Sequence, residues 1–90
     1  MNQEFFKDVT LTEDQGCLCI LDETGDTKIT WNKKNADEVT SARLIFQELV
    51  VKKRWAAFEV SRTGKKIDKK VTMFEPGLGK VILVPPMVEG

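Results

Sequence analysis

The chain has 90 residues, 41% of them apolar and 31% charged, and its 14 basic and 14 acidic side chains cancel to a formal net charge of zero. Such a length sustains one hydrophobic core and leaves no room for a second domain. No apolar run approaches the roughly 20 residues of a membrane-spanning helix, and the N-terminal "MNQEFFKDVT" lacks the basic-then-apolar order of a secretory signal, so the expectation is a cytoplasmic protein.

Residues 1–14 are the least patterned. Phe5, Phe6, Val9 and Leu11 follow no clean period, so this segment is either a strand or a cover lying over a sheet. Residues 17–21 form a continuous apolar run of strand length, "ETGD" is a turn with Gly25 available for positive φ, and residues 28–31 alternate polar and apolar like a half-exposed strand. Cys17 and Cys19 sit within the first of these strands. Their side chains are expected on opposite faces, too far apart to bridge, and without a histidine or a third cysteine they make no metal site. Two small buried thiols in a reducing compartment are the expectation.

A helix is predicted over residues 35–53. Asn35 is an N-cap, with Glu38 placed to complete a capping box. Asp37 and Glu38 suit the positive end of the helix dipole, and Lys52, Lys53 and Arg54 the negative end. Val39, Ala42, Phe46 and Leu49 make one apolar stripe that Ile45 widens. A strand follows at 56–60, a turn at Gly64, another strand over 67–74, a turn around Pro76, Gly77 and Gly79, and a last strand over 80–84. That strand must stop at Pro85, which has no N–H to give a ladder.

The fold predicted is α+β: one helix on a four- or five-stranded mixed or antiparallel sheet in the order β-β-α-β-β-β, with residues 85–90 as an extended arm. The two wholly apolar runs, 17–21 and 81–84, belong mid-sheet and side by side, in an arrangement that resembles the β-grasp, or ubiquitin-like, fold. One helix hides one face of a sheet. The other face needs a cover too: the N-terminal segment, a partner, or a second copy of the chain.

Little here suits catalysis. No histidine is present to act as a base near neutral pH, the thiols lie in an apolar run, and "PGLGK" is too short for a phosphate loop and leads into a strand. No enzyme, cofactor, metal or small-molecule substrate is expected. The expected role is protein interaction or assembly, in one form a homodimer, with Trp31, Trp55, Pro85, Pro86 and Met87 as contact residues. A nucleic-acid-binding accessory protein is the alternative. Residues 1–26 hold seven acids against Lys7, leaving the remainder net positive by six, and Arg62, Lys65, Lys66, Lys69 and Lys70 with Lys52, Lys53 and Arg54 would meet the phosphates. A second alternative is a ubiquitin-like carrier ending in Gly90.

The spaced set "GDTKITW", "NADEV..AR..F..L", "AAFEV" and "ILVPPM", covering roughly residues 25–87, resembles a family of short uncharacterised proteins from prokaryotic and phage genomes. That resemblance implies a stand-alone domain and a phage or mobile-element context.

Overall fold

The computed structural model describes residues 10–60 and 67–86. Strands β1 (Gln15–Asp22) and β2 (Gly25–Asn32) form an antiparallel hairpin in register from Asp22↔Gly25 to Gln15↔Asn32. The two-residue turn is fastened by Asp22, whose carboxylate accepts from the Thr24 hydroxyl at 2.6 Å and the Thr24 N–H at 2.9 Å. Gly25 takes a φ of 125°, open to a residue without a Cβ.

Helix α1 (Ala36–Phe46) starts where the sequence places it. The Asn35 carboxamide oxygen accepts from the N–H groups of Asp37 and Glu38 at 3.0 and 3.2 Å, satisfying two of the donors a helix start leaves open. The box closes differently from expectation. Glu38 Oε1 accepts from the N–H of Asn32 at 2.8 Å, tying the helix to the end of β2. Val39, Ala42 and Phe46 are buried as the stripe requires.

Beyond Phe46 the helix widens into a π-helical segment, Gln47–Lys52. Lys53 N–H reaches back five residues to Glu48 C=O at 3.1 Å, and Trp55 N–H reaches Leu49 C=O at 2.8 Å. Between them Arg54 sits at φ 64°, the left-handed conformation that usually falls to glycine at a helix end.

Strands β3 (Ala56–Val60), β4 (Ile67–Val71) and β5 (Lys80–Val84) complete a five-stranded sheet in the order β2-β1-β5-β3-β4. β5 runs parallel to β1 and antiparallel to β3. The architecture is thus α+β, one helix on a mixed sheet, with the two wholly apolar runs adjacent inside it. β4 is shorter than the predicted 67–74. The ladder ends at Val71, leaving Met73 exposed while Phe74 turns back onto the core.

The core has two parts, one on each sheet face. Leu18, Val81, Leu83 and Ala57 face α1 and meet Val39, Ala42 and Phe46, with Trp31 and Leu78 closing one end. The opposite face carries Cys17, Cys19, Ile82 and Val60. Cys17 and Cys19 therefore share a face, correcting the expectation of opposite faces: strand side chains alternate, so positions i and i+2 point the same way. Neither thiol has accessible surface within the single chain. Of the N-terminal segment expected as one cover for this face, Leu11 packs against the cluster. Among the described residues no helix is long and apolar enough to cross a membrane.

Candidate functional site

The free margin of β2 can be read from hydrogen-bond parity. Cys17 N–H donates to Gly79 C=O at 2.8 Å, so the odd-numbered residues of β1 turn their backbone groups toward β5 and the even-numbered ones toward β2. Their register partners Thr27, Ile29 and Trp31 then face inward. Asp26, Lys28 and Thr30 turn their N–H and C=O groups outward, and no described strand pairs with them. The other margin, β4, has five residues, a register shift opposite Glu59 and Val60, and the exposed lysines Lys69 and Lys70. Short length, irregularity and lysine are the features that blunt an edge. β2 has eight residues and one lysine, which is held by Asp26.

Beside the β2 margin lies a cleft of about 540 Å³. Ile20 and Ile29 reach it from the sheet, Leu44, Ile45 and Leu49 from the helix, and Trp55 closes its end. Leu44 is 59% exposed, and with the half-buried Ile20, Ile29, Ile45 and Leu49 beside it in the cleft it belongs to a contiguous apolar surface rather than standing singly. The π-helical segment and the left-handed Arg54 carry Trp55 into the cleft, and wide turns and strained residues of this sort gather at functional sites. Asp22, Glu48 and Lys53 stand at the rim.

Charge along β2 is local and strongly held. Asp26 bonds Lys28 at 2.5 Å, which holds the Asp26 carboxyl below its ordinary pKa and the Lys28 ammonium above its own. The Thr24 hydrogen bonds likewise lower the pKa of Asp22. The same strand pair gives the nearest thiol a polar neighbour, with Cys19 Sγ 4.0 Å from Asp26 Oδ2.

Burial pushes the Cys17 thiol up to about 11 and raises that of Cys19. A protonated thiol without solvent access is a poor nucleophile. Both cysteines are expected to react with a maleimide at least about a hundredfold more slowly in buffer than in denaturant, since modification must wait for opening of the sheet; mass spectrometry against time measures it. Modification of either within the mixing time would show the second face to be open.

The predicted contact residues separate. Trp31 is 1% exposed, its Nε1–H donating to Pro76 C=O at 3.1 Å, so it serves the core and stands out of a partner's reach. Trp55 is half-buried in the cleft wall, and Pro85 and Pro86 are exposed. Met87 and Gly90 lie outside the described residues, as do Arg62, Lys65 and Lys66. Lys52, Lys53 and Arg54 are exposed at the start of β3, whereas Lys69 and Lys70 lie opposite Glu59 and Phe58 further along it. Lys52 pairs with Glu48 at 3.6 Å and Lys69 with Glu59 at 3.7 Å. The described cations of the predicted nucleic-acid set thus form two partly neutralised groups. Neither Leu44 nor the β2 margin is legible in the sequence: the polar-apolar alternation of residues 28–31 marks a half-exposed strand and says nothing of its place in the sheet.

Fold and surface together define a one-helix α+β domain with, among the described residues, one blunted sheet margin and one that no strand pairs with. Comparison with protein-family models, curated proteins and solved structures finds no match to this chain.

Proposed function

We propose that this chain is a non-catalytic interaction module that docks an extended protein segment along β2, with side chains of that segment entering the cleft beside it. The observation that carries the reading is the coincidence of outward-turned backbone groups at Asp26, Lys28 and Thr30 with a cleft holding the exposed Leu44. An added strand obtains main-chain hydrogen bonds from such an edge, and its alternate side chains find apolar surface on one face. Trp55, Ile29 and Leu49 would supply that surface. On the opposite sheet face Cys17, Cys19, Val60 and Ile82 are already buried in the single chain, which favours the margin as the docking surface.

Selection from a displayed library of random linear peptides tests the reading, followed by amide-shift mapping of the chain with each selected peptide. The expected result is perturbation centred on Asp26, Lys28 and Thr30 and on the amides of Leu44 and Leu49. Lys28→Pro removes an outward N–H and leaves the β1 ladder intact, and it is expected to weaken binding at least about tenfold, since one edge hydrogen bond and the strand geometry are lost. Binders that perturb only other surfaces, or no binder to a chain that is also monomeric, would overturn the proposal.

A further inference from the structure

We infer that the strand docking on β2 is β2 of a second copy of this chain, paired antiparallel about a two-fold axis through Thr27; the inference rests on the reading of β2 as the docking edge. Self-pairing must set outward-turned residues opposite outward-turned residues, which leaves few registers. With Asp26 on the axis two carboxylates oppose each other, and with Lys28 on the axis two ammonium groups do. With Ile29 on the axis Lys28 meets Thr30 of the partner subunit and no ion pair forms. With Thr27 on the axis Asp26, already paired with Lys28 of its own strand, also lies opposite Lys28 of the partner subunit, and symmetry closes the four groups into a set of alternating charges.

This register suits the other positions as well. Opposite charges directly across an antiparallel pair are favourable and like charges unfavourable. Thr27 meets Thr27 of the partner subunit in the non-hydrogen-bonded pair, where side chains come closest. Ile29 falls opposite Gly25 of the partner subunit, where there is no side chain to meet it and a Cβ added at Gly25 would touch nothing within 4 Å. The two clefts then face each other across the axis on the helix side of a continuous sheet, and Leu44 of each subunit leaves solvent.

Sedimentation of the full chain over a wide concentration range tests the inference. The wild type is expected to dimerise. Asp26→Lys makes the edge wholly basic and Lys28→Asp makes it wholly acidic, so each is expected to weaken self-association roughly ten- to hundredfold through two lost pairs and two new repulsions. An equimolar mixture of the two variants restores both ion pairs and is expected to form a heterodimer, and D26K/K28D in one chain is expected to return to wild-type self-association. The mixture and the double variant keep the test decisive if one single variant folds poorly. A wild type that stays monomeric throughout, or single variants that dimerise as tightly as it does, would overturn the inference. Peptide binding at β2 by that monomer would leave the proposed function standing, whereas loss of both would remove the docking edge itself.

Discussion

Gly16→Ala is expected to destabilise the chain by about 3 kcal/mol or more, at the upper end of what overpacking costs. Gly16 is buried in β1 directly opposite Trp31. A Cβ at this position would overlap Trp31 Cζ2 and stand 2.5 Å from the carbonyl oxygen of Leu78. Neither neighbour yields cheaply. The indole is pinned by its hydrogen bond to Pro76 C=O, and the Leu78 carbonyl belongs to the backbone of the loop that closes the core. A domain of this length has on the order of 5–13 kcal/mol of stability in all, so the loss takes a large share. Urea unfolding followed by circular dichroism measures it. Trp31→Phe on the Gly16→Ala background removes the ring atom in conflict, and the pair is expected to cost less than the sum of the two single changes, as coupled neighbours do. A Gly16→Ala chain of wild-type stability would show that the loop holding Leu78 is free to shift.

Much of the architecture follows from periodicity alone. The 3-4-3 spacing of Val39, Ala42, Phe46 and Leu49 defines a helical face whatever the tertiary context. The apolar runs around Leu18 and Val81 have no polar side to turn to water, which places them inside a sheet. Parity corrects the expectation for Cys17 and Cys19: an interval of two returns a strand side chain to the same face, so both thiols lie in one cluster. The π-helical segment was not legible, because a stripe of apolar positions constrains which face is buried and says little about whether an N–H bonds four or five residues back. Trp31 and Trp55 look alike in sequence, each at a strand end. Only the return of Pro76 over one and the helix end beside the other separates a core residue from a cleft residue. The docking margin depends on strand order, which is a property of the whole sheet, so nothing within "GDTKITW" marks β2 as an edge. Nothing in the sequence singles out Gly16; its role emerges once Trp31 is seen across the ladder.

The other large effect is expected at Trp31 itself. Trp31→Ala should cost about 4 kcal/mol, in the range for deleting a buried aromatic ring from a core that relaxes only in part. The ring lies edge-on to Phe74 with centroids 5.0 Å apart, and Phe74 in turn packs against Phe46 at 5.9 Å and carries Arg43 over its face at 5.7 Å. Removing the indole thus loosens a chain of contacts running from β2 through the irregular segment after β4 to α1. At roughly 4–8 °C per kcal/mol for a domain of this size, the midpoint of thermal unfolding should fall by about 15–30 °C. Trp31→Phe divides the loss. It keeps most of the apolar area but leaves Pro76 C=O without its indole donor, so it should cost about 1–2 kcal/mol, the usual penalty for orphaning a partly buried acceptor. If the two substitutions proved equally damaging, the hydrogen bond to Pro76 rather than the packed ring would be what secures the loop over the core. If Trp31→Ala unfolded at the wild-type midpoint, the helix-side core would have to be organised around other residues than these.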